Sequence, residues 1–345
     1  MELAEKISHL LIVGFHGVHE EDEGVQRMAK QISAGTAGGV ILFGYNIESP
    51  TQVKKLTGFL KKHACGQPLL MAVDQEGGRV ERLSPQKGFK GFKTPKAVSH
   101  LSAEDALKHY TEMASELAEH GFNLDFAPCV DMDPLHYTCP VIGGLDRSFG
   151  HETRQIVKYG KIVMEALKDK HILNCIKHFP GHGSALGDTH EGYVDVSEQW
   201  EEKELRPFME LVHSQGVDMV MTAHIFNKHL DAKNPATFSK GTLSLLREGG
   251  YQGIIISDDL HMSAIQKHYS FEESIVKAFA AGNDMVIFSN SPAAAKGIET
   301  FKPDPLLPEK FIQVVQRAVH SNLLKEESIS ASFERVMTLK KNIKN

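Results

Sequence analysis

The chain has 345 residues, of which 41% are hydrophobic and 24% charged, and it carries a formal net charge of -6. That balance excludes a disordered or fibrous chain, and a negative charge without a basic cluster argues against nucleic acid as a partner. No apolar run approaches the ~18 residues of a membrane helix, so no membrane association is expected. The start, Met1-Glu2-Leu3-Ala4-Glu5-Lys6, lacks the basic stretch and apolar run of a secretion signal. Four cysteines, at 65, 129, 139 and 175, form no CxxC pair. Cys129 and Cys175 lie in or beside apolar runs and read as buried free thiols in a reducing compartment, so a cytoplasmic protein is expected.

Short apolar runs recur in chain order at Leu10–Phe15, Gly39–Phe43, Leu69–Val73, Phe122–Phe126, Ile172–Ile176, Val217–Met221, Gly253–Ile256 and Met285–Phe288. Most are continuous rather than alternating, as expected of parallel strands buried on both faces. Helical patterns fall between them. Ser49-Pro50 opens one, with Val53, Leu56 and Leu60 on one face. Ser102 opens a second that Gly121 stops, Ser197 a third that Gly216 stops, and Ser270 a fourth that runs to Gly282. The tail predicts helices over Phe311–Leu323 and from Ser328 or Ser330 into Phe333–Leu339, packed outside. Eight strand–helix units indicate a (β/α)8 TIM barrel, one domain over residues 1–345. An open doubly wound sheet is the alternative, but no Gly-x-Gly-x-x-Gly follows the first strand.

In such a barrel chemistry sits at the C-terminal ends of the strands, and polar clusters stand there. Asp74-Gln75-Glu76-Gly77-Gly78-Arg79 and Arg82 follow the third run, and Asp131 the fourth. Lys177 and His178 end the fifth, Thr222-Ala223-His224 the sixth, and Ser257-Asp258-Asp259 the seventh. Asp258 is the candidate nucleophile, although Ser257 and Asp258 are also the residue types that cap helices. Asp259 is expected to support it, turned towards backbone or solvent. Asp74 and Arg82 suit a polyhydroxylated ligand, although a surface salt bridge would use the same pair.

The densest cluster is Lys177-His178-Phe179-Pro180-Gly181-His182-Gly183, then Asp188-Thr189-His190. Histidine gives and takes a proton near neutral pH, and an aspartate two residues away can orient it. The segment reads as a mobile catalytic loop. The histidines also offer metal ligands, but Pro180, Gly181 and Gly183 break the helical i,i+4 spacing of zinc peptidases, so no metal or other cofactor is expected. His182 is expected to be loop architecture.

These motifs together resemble glycoside hydrolase family 3, in its single-domain β-N-acetylhexosaminidase branch. The resemblance rests on Val73–Val80, Asn123–Asp131, Arg147-Ser148-Phe149, Lys177–Gly183 with Asp188-Thr189-His190, Met221–His224 and Ile256–Leu260, in that order, over about residues 9 to 340. It implies Asp258 as catalytic nucleophile, His190 as general acid/base and Asp188 as its orienting partner. It implies sugar contacts from Asp74, Arg82, Arg147, Lys177 and His178, and His224, in a matching motif beside that pocket, is expected among the substrate-binding residues. Two-domain β-glucosidases of the family take a glutamate acid/base from a second domain. No such domain is expected in this chain, which carries Asp-x-His instead, and by the resemblance that favours a hexosaminidase. Two features depart from the family: Gly144-Leu145-Asp146 stand before Arg147 where one residue is usual, and His261 replaces a small residue and is expected as a solvated loop residue.

The implied reaction is retaining removal of a terminal β-linked N-acetylglucosamine through a covalent glycosyl-aspartate, from muropeptide fragments in peptidoglycan recycling, by a monomer. A neutral histidine base does not repel an anionic acceptor, so a phosphorylase that transfers the sugar to phosphate is the alternative. A metal-dependent barrel hydrolase and a non-catalytic sugar binder are the readings from other classes.

Overall fold

The computed structural model describes residues 2–343 except 65, 67 and 137. Eight parallel strands close into a barrel: β1 (Leu11–Gly14), β2 (Gly39–Ile41), β3 (Leu70–Val73), β4 (Leu124–Asp125), β5 (Leu173–Phe179), β6 (Met219–Thr222), β7 (Ile254–Asp259) and β8 (Met285–Phe288). β8 pairs with β1 through Leu11 and Val286, which completes the ring. Each apolar run overlaps its strand, and β5, β6 and β7 continue past the ends of theirs, to Phe179, Thr222 and Asp259. Most of the runs are continuously apolar because one face meets the barrel interior and the other meets the helices. All four residues of β3 and of β6, for example, are buried.

A helix follows each strand: Glu23–Ser33, Pro50–Lys62, Ala103–Glu119, Thr153–Asp169, Arg206–His213, Lys240–Glu248, Phe271–Ala281 and Leu307–His320. The caps read from the sequence form as expected at three starts. The hydroxyls of Ser49, Ser102 and Ser270 accept from the backbone N–H three residues on, and Glu273 closes a capping box. Ser197 does not cap a helix. Its hydroxyl is held by Asp195 and accepts from Lys228 N–H, and the helix begins only at Arg206. In the tail, Leu307–His320 is the barrel's own eighth helix. The last helix begins at Glu326, ahead of the expected Ser328 or Ser330, because Ile329 and Ser332 belong to its buried face. Both pack on the exterior against the short helix Leu3–Ser8. Among the described residues no helix is long and apolar enough to cross a membrane. Cys129, Cys139 and Cys175 are free and buried, whereas Cys65 lies outside the described residues.

Strand pairing is regular except at two places that matter. The register of β5 against β6 shifts between Ile176 and Phe179, and that of β7 against β8 shifts between Ile256 and Asp259. A bulge re-aims the side chains beside it. Here the bulged residues are Lys177 and His178 on one strand, and Ser257 and Asp258 on the other.

The opposite end of the barrel holds an unusual cation. Lys340 is 2% exposed, and its Nζ lies 3.1 Å from His9 Nδ1 and 2.9 Å from the Gly38 carbonyl oxygen. No carboxylate pairs with it among the described residues. Burial pushes the Lys340 amine down to about 7, and burial with the nearby lysine pushes His9 down to about 4. Both folded values lie below the unfolded ones. The unfolded chain therefore binds more protons from about pH 10 down to about pH 4, and stability falls as pH falls through that window. Replacement Lys340→Met should stabilise the fold at pH 7 by about 2 kcal/mol and flatten the pH dependence of the denaturation midpoint above pH 7. An unchanged or steeper profile by chemical denaturation would contradict the buried-charge account.

Candidate active site

Beyond β3 the chain turns into a hairpin, Gln75–Gly77 against Val80–Glu81. Gln75 holds it: its side-chain oxygen accepts from the N–H groups of Arg82 (2.8 Å) and Leu83 (3.1 Å). Its own N–H donates to Asp125 Oδ1 at 2.9 Å. The hairpin thereby brings Asp74 and Arg82 together, with Arg82 Nη2 3.2 Å from Asp74 Oδ2.

A buried ion cluster lies beneath. Lys177 Nζ is 2.9 Å from Asp74 Oδ1 and 2.6 Å from Glu76 Oε1, with the lysine side chain 2% exposed. Arg147 meets Glu76 with a two-pronged contact, Nε to Oε2 and Nη2 to Oε1, both 2.8 Å. Burial alone would raise both acids, but Lys177 and Arg82 hold Asp74 well below the carboxylate range, and Arg147 with Lys177 brings Glu76 down to about 2. Asp125, on the strand between, behaves oppositely. Burial, with Asp74 and Glu76 nearby, pushes it well above its usual value, and its Oδ2 has no hydrogen-bond partner among the described residues. A protonated Asp125 leaves the charges of Lys177 and Arg147 balanced against Asp74 and Glu76. Glu76 and Asp125 were not foreseen as site residues. The signal was present, since charged side chains inside apolar strand ends require partners.

The longer segment before Arg147 is absorbed locally. Gly143–Leu145 make one tight helical turn, Asp146 adopts a left-handed conformation (φ 56°), and Arg147 N–H returns to the Ile142 carbonyl at 3.0 Å. Tyr137, earlier in the stretch from Asp131 to Arg147, lies outside the described residues.

His178 is fixed by Asp131, which follows β4. Asp131 accepts from His178 Nδ1 at 2.6 Å, from His178 N–H and from His182 N–H at 2.8 Å. Burial would raise Asp131, but His178 holds it well below the usual range. Ser184 N–H donates to the buried Glu204, 3.1 Å away. The first half of the histidine loop is therefore not mobile. Its glycines serve close packing: a Cβ on Gly183 would lie 1.6 Å from the Met132 carbonyl oxygen. His182 is buried, its Nδ1 3.7 Å from Cys139 Sγ. Only the second half is open, with Leu186 56% and Tyr193 50% exposed.

That open half carries the dyad. His190 Nδ1 is 2.8 Å from Asp188 Oδ1, and since a carboxylate only accepts, Nδ1 bears the proton. Nε2 has no partner among the described residues. Burial would raise Asp188, but hydrogen bonds from His190 N–H and its ring hold it below its ordinary value. The loop is tied to the segments after β7 and β8. Ala264 N–H donates to the Thr189 carbonyl (3.1 Å), and Lys267 Nζ and Lys296 Nζ reach Glu191, each at 2.6 Å.

Across the mouth, the β7 bulge presents Asp258. Burial would raise this carboxyl, but His224 and His178 outweigh it and keep it below its ordinary value. Asp259 turns to the backbone, as expected, and accepts from the N–H groups of His261 (3.0 Å) and Ser289 (2.9 Å). Two expectations fail here. His224 does not line the cavity: it is buried behind Asp258, with Nε2 3.0 Å from the Asp259 carbonyl oxygen and Nδ1 2.8 Å from the Thr237 hydroxyl. Both nitrogens are occupied, so it has none to offer a sugar. His261 is not solvated: it is 5% exposed, packs against Phe288 and Phe301, and accepts from Asn290 N–H.

One cavity of about 620 Å³ is lined by Asp74, Arg82, Arg147, Lys177, His178, Asp188, His190 and Asp258, with Tyr45 and Lys87 on the wall. It combines an ionised carboxylate, an oriented imidazole, and a floor of paired donors and acceptors. That arrangement can attack an electron-poor carbon, protonate a leaving oxygen and hold hydroxyl groups.

A Tolumonas auensis protein named beta-hexosaminidase is 37% identical over 76% of this chain and 78% of its own. A Nitrosomonas eutropha protein of the same name is 35% identical over 78% of each. A solved glycoside hydrolase family 3 beta-N-acetylglucosaminidase from Paenibacillus sp. str. FPU-7 superposes with a TM-score of 0.87 at 32% identity, over 99% of this chain. The present chain spans 62% of that structure's length. Residues 2–339 match the glycosyl hydrolase family 3 N-terminal domain, and the chain, a (β/α)8 barrel with an acid and an imidazole at its mouth, belongs to that family.

Proposed function

We propose that this chain is a retaining exo-β-N-acetylglucosaminidase that removes terminal β-linked N-acetylglucosamine, in the cytoplasm, from muropeptide fragments of recycled peptidoglycan. The observation that carries the reading is the meeting of Asp258 with the Asp188–His190 pair in one cavity above the Asp74–Lys177–Glu76–Arg147 cluster. The relatives named beta-hexosaminidase and beta-N-acetylglucosaminidase support the sugar.

In the first step Asp258 attacks the anomeric carbon, and the bond to the aglycone oxygen breaks. His190 Nε2 gives its proton to that oxygen, and Asp188 steadies the imidazolium. In the second step the neutral imidazole takes a proton from water. The water oxygen bonds to the anomeric carbon and Asp258 leaves, so the configuration is retained. Asp74, Arg82 and Lys177 hold the ring hydroxyls through bonds made by ionised partners, which are the stronger kind.

Replacement Asp258→Ala should cut turnover of an aryl N-acetyl-β-glucosaminide by at least about a thousandfold with the fold intact. Near-normal activity would refute the nucleophile assignment. The variant His190→Ala should lose about 10²- to 10⁴-fold on a substrate with a poor leaving group and much less on an activated aryl substrate. Equal losses on both would contradict a proton-donor role. The matching β-glucoside should be a poor substrate, and products analysed with and without phosphate decide the acceptor. A sugar 1-phosphate as main product would replace hydrolysis by phosphorolysis.

Glu76 yields a stability prediction. Removing it leaves Lys177 and Arg147 short of a buried counter-charge, so Glu76→Ala should destabilise the fold by about 3–5 kcal/mol. It should also weaken substrate binding by loosening Lys177. A loss below about 1 kcal/mol by chemical denaturation would show that the cluster is not held by Glu76.

A further inference from the structure

The end of the barrel opposite the catalytic mouth carries a second cavity, of about 500 Å³, between the helices Lys240–Glu248, Phe271–Ala281 and Glu326–Lys340. Its charge is one-sided. Lys240, Arg247, Lys325 and Arg335 line it, and Asp284 is the sole carboxylate that does. Asp284 has nothing left to offer. Its Oδ2 takes Arg247 Nη2 (2.5 Å) and Ile255 N–H (2.9 Å), and its Oδ1 takes the Ser332 hydroxyl (2.8 Å) and Arg335 Nη1 (3.1 Å). Among the lining residues one carboxylate stands against four cations, a net of three positive charges, in a chain whose net charge is -6.

The cations differ in how free they are. Arg247 is spent, because its Nη1 also donates to the Tyr251 and Gly253 carbonyls. Arg335 is not: among the described residues only its Nη1 has an acceptor, so the outer edge of its guanidinium fork stands open. Lys240 and Lys325 have no ion-pair partner among the described residues. Lys325 is also the N-cap of the last helix and caps it with no side-chain bond. Its neighbour Ser328 lines the same cavity. A 15-residue helix thus begins at the cavity wall, and the positive end of its dipole adds to the lysine and arginine charge. Glu326 and Glu327 of that first turn are exposed and are not among the lining residues.

We propose that this cavity is a binding site for a small phosphate-bearing molecule, separate from the catalytic mouth. An open guanidinium fork, two unpaired lysines and a helix start are the groups that phosphate oxygens bind. The volume exceeds a bare phosphate and suits a phosphorylated compound of sugar or nucleoside size. Asp284 has the structural part: it fixes both arginines and ties the cavity floor to β7 through Ile255.

The test is calorimetric titration of the full chain with inorganic pyrophosphate, then inorganic phosphate. Three variants accompany it: Arg335→Ala, Lys325→Ala, and Lys87→Ala on the wall of the catalytic cavity. One-to-one binding should be seen, pyrophosphate tighter than phosphate. Arg335→Ala and Lys325→Ala should each weaken it about tenfold, about 1.4 kcal/mol, and Lys87→Ala should leave it unchanged. Lys325 is exposed and unpaired, so its variant reports even if Arg335→Ala proves unstable. Absence of binding to the unsubstituted chain, retention of full affinity in Lys325→Ala, or loss in Lys87→Ala each overturns the proposal.

Discussion

Lys177, enclosed at the end of β5 between the carboxylates of Asp74 and Glu76, is the contact on which the rest of the mouth depends. A lysine only 2% exposed has little solvent to stabilise it, so its charge depends on the two acids. They in turn stay ionised inside the barrel only because Lys177, Arg82 and Arg147 surround them. Removing one member therefore exposes the others to the full cost of burial. The cluster joins three adjacent strands: β3 through Asp74 and its hairpin, β4 through Asp125, and β5 through Lys177 itself. It sets the floor on which the sugar would rest.

The barrel gives this cluster its neighbours. Parallel strands aim their last residues at one rim, and the bulges in β5 and β7 turn His178 and Asp258 into the same cavity. Asp131 locks His178 and the first half of the histidine loop, while His224 lies behind Asp258 and biases it towards the ionised form. His190, the proposed proton carrier, is treated differently. His190 sits on the exposed half of the loop, attached by backbone and lysine contacts of modest strength. A fixed Asp258 and ion cluster beside an adjustable His190 suit the proposed reaction, in which one imidazole must protonate a leaving group and later receive water.

Much of this is legible in the chain itself. Most of the strands show because strands buried on both faces favour continuous apolar runs, and Ser49, Ser102 and Ser270 mark helix starts because their hydroxyls satisfy local N–H groups. Asp188 and His190 are two residues apart, so their pairing is local as well. What stays hidden depends on distant partners. Glu76 and Arg147 are 71 residues apart, and nothing near either announces the other. His261 looks like a solvated loop residue until Phe301 covers it, and His224 looks like a sugar contact until Thr237 and Asp259 take its nitrogens. The glycines of the histidine loop read as flexibility. Gly183 is instead a close approach to Met132, a fact of packing that composition does not carry.

The most direct measurement is to quench the enzyme while it turns over a substrate whose second step is slow, and to map the bound sugar by peptide mass. The account predicts one N-acetylglucosamine ester, on the peptide at Asp258, and a β-configured sugar as the first product. No adduct together with an α-configured first product would contradict it, because water would then have displaced the aglycone directly.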